Sequence, residues 1–252
     1  MQRSPVKRSD ETLDALFHGK LQILQSRSGY RFSLDAVLLS YFAEPRSDET
    51  VIDLGSGNGV IPLILVTLQT SLSVIGVEIQ QEMVERAIRN IRGNGLEERV
   101  TMVCGDVCEI QRLFGPGAAD FVICNPPFRA RGTGRMSFNR EKKVARHEIA
   151  ASLQDFVRAA AYLLPRKGRM ALIHPVRRMP DLFQAMRSVD IHPRRMRTVH
   201  SFAGNEATLV LMEGVKGGRS ELKALPPLVV YEKGQNHTLE VRSMLSGDWK
   251  QD

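Results

Sequence analysis

Brief apolar runs alternate with longer amphipathic stretches along most of this chain. Residues 50–54, 72–77, 99–104, 119–124 and 169–174 are apolar runs too short for helices, and each reads as a buried strand. Between them lie stretches with helical spacing. Residues 60–68 are apolar throughout, and residues 80–94 carry Met83, Val84, Ala87, Ile88 and Ile91 on one stripe, with Gly93 and Gly95 as stop signals. Residues 147–164 predict a further helix whose buried stripe is Ile149, Leu153, Phe156, Val157, Ala160 and Leu164, and residues 180–188 a shorter one. Such strand–helix alternation predicts an α/β fold with a doubly wound sheet. Residues 196–202 and 208–212 read as a closing antiparallel hairpin.

The flanks are patterned differently. Residues 20–32 predict a short hairpin turning at Ser28-Gly29, and Ser33 is placed to cap a helix over residues 34–43. Residues 214–220 read as a flexible link, and residues 228–231 and 237–241 as a small hairpin. This divides the chain into an N-terminal segment (1–46), a core (47–213) and a C-terminal extension (214–252).

Chemistry gathers where the predicted strands end. The first runs into Val51-Ile-Asp-Leu-Gly-Ser-Gly-Asn-Gly59, a loop whose glycines let the backbone turn tightly and approach a ligand. Its spacing is not that of a dinucleotide loop, and it carries the carboxylate of Asp53 at the strand end. A carboxylate there repels a pyrophosphate and attracts an ammonium group, which points to a phosphate-free nucleoside such as S-adenosyl-L-methionine. The next strand ends in Glu78, where an acid can grip ribose hydroxyls. The third ends in Asp106, where an acid can accept from an adenine amine or simply cap a helix.

The fourth strand ends in Asn125-Pro126-Pro127-Phe128. Neither proline can donate to a sheet ladder, so the strand must stop in a rigid turn. That turn offers an amide side chain, carbonyls without competing N–H groups, and an aromatic face. These are the parts needed to hold a planar amine by its hydrogens while a ring stacks beneath it.

In this order the loop, Glu78, Asp106 and Asn-Pro-Pro-Phe resemble the class I S-adenosylmethionine-dependent amino-methyltransferases. With Gly29-Tyr-Arg-Phe-Ser-Leu-Asp-Ala-Val-Leu-Leu39, Ala145-Arg-His-Glu148 and Leu225-Pro-Pro-Leu-Val-Val-Tyr231, the chain resembles the bacterial tRNA1(Val) adenine-N6 methyltransferase group, and the likeness covers nearly the whole chain. The resemblance implies a Rossmann-like sheet of seven strands with the last antiparallel. It implies a cofactor site of Asp35, Asp53, Gly55, Ser56, Gly57, Asn58, Gly59, Glu78, Ile79, Asp106, Val107 and Asn125, with the helix over residues 34–43 covering the cofactor. The catalytic residues it implies are Asn125, Pro126, Pro127 and Phe128, and the substrate an adenine beside a tRNA anticodon. Three other readings stay open: a guanine-N2 methyltransferase of ribosomal RNA, a glutamine-N5 methyltransferase of protein, and a catalytically silent RNA-binding module that has kept the fold.

Charge adds a partner. The formal net charge of +7 suits a polyanion, and its distribution says more than the total. Directly after the Asn-Pro-Pro-Phe turn come Arg129, Arg131, Arg135, Arg140, Lys142, Lys143 and Arg146 against the single acid Glu141. A basic segment beside a pocket for a planar amine is what an enzyme acting on an RNA base needs. A second cluster, Arg194, Arg195 and Arg197, either extends the patch or lines an exposed strand. The three cysteines and six histidines form no zinc or metalloprotease spacing, so no metal is expected. No apolar run reaches membrane-helix length and no secretion signal is legible, so the expected location is the cytoplasm.

Overall fold

The computed structural model describes residues 5–29, 31–128, 151–218 and 221–248. Strands β1 (Glu11–Leu16) and β2 (Leu21–Ser26) form an antiparallel hairpin, followed by helix α1 (Leu34–Ala43). The core alternates β3 (Val51–Leu54), α2 (Val60–Leu68), β4 (Val74–Glu78), α3 (Gln81–Gly93), β5 (Val100–Cys104) and β6 (Phe121–Cys124). It continues through α4 (Leu153–Leu163), β7 (Arg169–Pro175), α5 (Met179–Arg187), β8 (Ile191–Phe202) and β9 (Ala207–Lys216). The tail contributes β10 (Lys223–Ala224), β11 (Leu228–Lys233), β12 (Asn236–His237) and α6 (Leu239–Ser246).

One sheet runs β12-β11-β8-β9-β7-β6-β3-β4-β5, with β10 against β8. The doubly wound α/β expectation holds. Strands β3 to β7 are parallel, and β9, the last of the seven core strands, is antiparallel to both β7 and β8. The strand order reverses between β3 and β6, so their C-terminal ends form the crevice where ligands of such sheets bind. Register fixes what meets there: Leu54 pairs with Val77 on one side and Cys124 on the other, and Cys124 pairs with Leu172. Gly55, Glu78 and Asn125 therefore follow at one level of the edge.

Each face of the sheet has its own core. Val51, Ile123, Ala171 and Ile173 pack with α1 and α2, whereas Ile52, Leu54, Val122, Cys124 and Leu172 pack with α4 and α5. Near-continuous apolar strands are what a parallel sheet covered on both faces requires.

Four boundaries differ from the sequence reading. The N-terminal hairpin turns at residues 17–20, not at Ser28-Gly29. Phe17 (φ 55°) and His18 (φ 54°) adopt left-handed backbone conformations that no local residue type signals. Phe17 is buried beneath the tail, where any side chain at Gly247 would meet its ring at 3.0 Å, so a distant segment supports the turn. Ser28 and Gly29 do turn, but their N–H groups donate to Ser26 Oγ and only close the strand. Helix α4 begins at Leu153, because Ser152 and Asp155 form a reciprocal capping box; residues 147–150 lie outside the described set. In the tail, Thr238 caps a helix where a strand was expected, and β11 joins the main sheet beside β8. Residues 214–216, read as part of a link, complete β9.

Helix α3 ties the hairpin to the core. Asn90 Oδ1 accepts from Leu24 N–H (2.7 Å) and Asn94 Oδ1 from Gln22 N–H (2.9 Å), while each amide donates back to the same residue's carbonyl. Two asparagine amides thus satisfy the free edge of β2 as a neighbouring strand would. Below them Glu11, wholly buried, binds Arg86 at 2.9 Å and also Arg89. The Arg89 guanidinium, offset by burial and helped by Arg8 N–H and Arg86, holds the Glu11 carboxyl down at about 2 from an ordinary 4.5. Its contribution is complete above pH 4.5 and is lost as pH falls through about 2. Glu11→Gln should cost about 3 kcal/mol or more at neutral pH, since it leaves two arginines short of their anion. Urea titrations across the acid range should also show a flatter decline for the variant than for the parent.

Candidate active site

The loop after β3 is built on three left-handed glycines, Gly55 (φ 73°), Gly57 (φ 57°) and Gly59 (φ 77°). Gly55 N–H and Ser56 N–H both donate to the Val77 carbonyl, folding the loop back over β4. That fold requires Gly76, which the sequence reading missed. A Cβ there would lie 2.6 Å from Ser56 Oγ and 2.6 Å from Met102 Sδ. Its signal was an isolated glycine within an apolar strand.

Glu78, nearly buried, accepts from Gly57 N–H (2.9 Å) and Gln80 N–H (2.9 Å). It stiffens the loop and keeps lone pairs that can accept from hydroxyls. Asp106 is the cap of a short 3-10 turn, with Oδ1 accepting from Cys108 N–H at 2.8 Å, and a carboxylate keeps further lone pairs for a ligand donor. Ile79, 40% exposed, and buried Val107 supply apolar surface beside these acids. Asn58 is different: Oδ1 faces Arg86 (3.4 Å) and its carbonyl accepts from Asn90 (3.0 Å), so it anchors the loop to α3.

Asp53 is the electrostatic anomaly of the site. It is fully buried, and neither carboxylate oxygen has a hydrogen-bond partner among the described residues. Burial pushes its pKa up to about 7; the nearby Ser56 hydroxyl opposes the rise and the Glu78 charge adds to it. Asp35 lies in the first turn of α1. Arg195 donates to the Phe42 carbonyl at the helix's other end, and Arg169, at the start of β7, donates to the Glu44 carbonyl just beyond it. That end therefore lies at the far edge of the sheet, and Asp35 at the ligand edge. Burial raises the Asp35 pKa, with the Ser33 hydroxyl and its own N–H opposing.

Across the switch point, Asn125 is half-buried, Pro126 buried, Pro127 exposed and Phe128 half-exposed. The Phe128 ring meets His174, at the end of β7, edge to face with centroids 5.8 Å apart. In the sequence His174 is only the last residue of an apolar run. Arg129, Arg131, Arg135, Arg140, Lys142, Lys143 and Arg146 lie outside the described residues. The second basic cluster is mostly structural: Arg195 pairs with Glu44 and Glu213, and Arg197 binds Glu240 through two nitrogens. Among the described residues no group of three His, Cys, Asp or Glu side chains could hold a metal ion. No helix among them is long and apolar enough to cross a membrane.

A family model described as methyltransferase small domain matches residues 35–189. The chain belongs to that family. S-adenosyl-L-methionine is its methyl donor, and the site fits that group. A phosphate-free cradle of glycines lies beside a buried, unpartnered carboxylate and acceptors at two further strand ends. The methyltransferase is similar to two relatives named tRNA1(Val) (adenine(37)-N6)-methyltransferase. The protein from Porphyromonas gingivalis is 28% identical over 77% of this chain and 78% of its own length. That from Shewanella halifaxensis is 26% identical over 93% and 96%. Among solved structures, an Agrobacterium tumefaciens protein described as a predicted O-methyltransferase superposes with a TM-score of 0.68. It is 23% identical, covering 85% of this chain and 96% of its own, and shows the same fold.

Asp53 yields a pH-dependent expectation. Its folded pKa of about 7 lies above the ordinary 3.8, so ionisation opposes folding, and stability falls as pH rises between those values. Asp53→Asn should therefore raise the Tm at about pH 8, with the gain vanishing below about pH 4. The same variant should lose S-adenosylhomocysteine binding by calorimetry. Unchanged affinity would remove Asp53 from the cofactor site.

Proposed function

We propose that this methyltransferase methylates N6 of an adenine in tRNA, the base beside the anticodon of a valine tRNA. The observation that carries this reading is the register that sets Asn125 level with Gly55 at the sheet's switch point. An amine held by the first lies next to a cofactor held by the second. The names of the relatives support tRNA as the substrate and adenine N6 as the acceptor.

An exocyclic adenine N6 is a poor nucleophile because its lone pair is delocalised into the ring. Asn125 Oδ1 and the Pro126 carbonyl accept its two hydrogens, which draws the nitrogen toward sp³ geometry and frees the lone pair. Pro126 and Pro127 leave that carbonyl without a competing N–H and hold the turn rigid. Phe128 stacks on the extruded base. The cofactor supplies an electrophilic sulfonium methyl. Asp53, the loop residues Gly55 to Gly59, Glu78 and Asp106 would hold it, with Asp35 and α1 covering it. The proton of the methylated amine can leave afterwards, so no strong base is needed. Acceleration comes largely from orientation, which contributes at most roughly 7–11 kcal/mol in such reactions.

The deciding experiment supplies labelled S-adenosylmethionine with unmodified tRNA and ribosomal RNA, followed by nucleoside mass spectrometry. Label in N6-methyladenosine from tRNA is the expected result. Label in N2-methylguanosine would move the substrate to guanine, and label only in protein glutamine would move it off RNA. No transfer to any acceptor would leave an RNA-binding module. Asn125→Ala should lower kcat by about a hundredfold or more while calorimetric cofactor affinity stays unchanged. For the basic segment, Lys142→Ala with Lys143→Ala should shallow the slope of log binding constant against log salt by about 1.5. An unchanged slope would take both lysines off the RNA.

A further inference from the structure

The buried polar atoms without partners include two groups at the ligand edge. Asp53 and Ser56 lie on the side of the glycine loop, where the cofactor would meet them. His174 lies on the other side, next to the catalytic turn. Cys124 pairs with Leu172, so His174, two residues on in β7, stands level with Pro126. Its side chain is wholly buried, neither Nδ1 nor Nε2 has a hydrogen-bond partner among the described residues, and its ring contacts Phe128.

A buried imidazole without a partner destabilises the fold, so packing alone would favour a phenyl or aliphatic side chain here. Retention of both nitrogens at the rim of the catalytic turn calls for a partner that arrives with the substrate. We propose that His174 contacts the substrate: a base stacked on Phe128 brings a ring nitrogen of its edge to the imidazole, which donates a hydrogen bond and fixes the base's rotation. Phe128, half-exposed, is the described ring that lies against His174, and the proposed contact requires that ring to shift as the base binds so that the imidazole is uncovered. Burial first, then Arg178, with Asp181 opposing, lowers the His174 pKa to about 4, so the ring is neutral and carries one donor and one acceptor.

This role rests on an RNA base being the substrate and adds a second grip to the one at Asn125. Asn125 and Pro126 hold the amine, and His174 reads a different edge. A glutamine side chain has no ring nitrogen, and its one carbonyl oxygen is its only side-chain acceptor for the imidazole.

The test compares His174→Phe and His174→Asn with the parent in labelled methyl transfer to tRNA, thermal unfolding and S-adenosylhomocysteine calorimetry. His174→Phe keeps an aromatic ring against Phe128 and removes the nitrogens. It should unfold at an equal or higher temperature, bind cofactor within twofold of the parent, and lose about tenfold or more in kcat/KM for tRNA. His174→Asn, with a donor and an acceptor restored, should recover part of that loss, and it decides the matter if the phenyl variant fails to fold. Parent-like turnover by His174→Phe would overturn the proposal. So would a lowered unfolding temperature in both variants with kcat/KM unchanged per folded molecule, which would make the imidazole structural. If the parent itself methylates no RNA, the substrate reading fails first and this role falls with it. RNA turnover that is insensitive to His174→Phe defeats the role alone.

Discussion

The parallel pairing of β3 with β6 is the constraint on which the rest depends. It exists because the chain winds outward from β3 in one direction and returns to lay β6 on its other side. Leu54 opposite Cys124 sets Gly55 and Asn125 side by side, so a glycine-rich cradle and a proline-locked amide share one crevice. A slip of one residue would flip every side chain of β6 between two cores that are both fully packed. The hydrophobic demand of the two faces thus fixes the geometry of the chemistry.

The loop that results is held by more than its glycines. Glu78 grips it from β4, and Asn58 is bound from α3 by Arg86 and Asn90. Those two residues also hold the N-terminal hairpin, through Glu11 and Leu24. Hairpin, helix and loop therefore form one connected polar network, in which segments far apart in sequence fix the cradle. Asp53 is left out of that network. A wholly buried carboxylate with no hydrogen-bond partner among the described residues is costly to the fold.

Much of this is legible in the sequence. Apolar runs ending in Asp53-x-Gly55, Glu78, Asp106 and Asn125 marked four strand ends because buried parallel strands show continuous hydrophobicity and their exits show polarity. What was not legible depended on distant contacts. The hairpin turn at Phe17 and His18 is supported by Gly247, at the end of α6. Thr238 was a capping signal hidden by an assumed strand, and Ser152 with Asp155 a box hidden by an assumed longer helix. Asn58 sits in the loop, and its bonds to Arg86 and Asn90 come from α3, a contact that the loop pattern alone does not reveal. His174 carried no sequence pattern at all. Only burial and the Phe128 contact single it out.

The central claim is that the unpartnered carboxylate at the end of β3 and the turn at the end of β6 serve one ligand pair. The most direct measurement is a carbon-13 NMR titration of the Asp53 carboxyl, in the free protein and with S-adenosylhomocysteine bound. Asp53 should titrate near 7 when free, as burial dictates, and well below that once the ligand's ammonium group compensates its charge. An identical titration in both states would contradict the account.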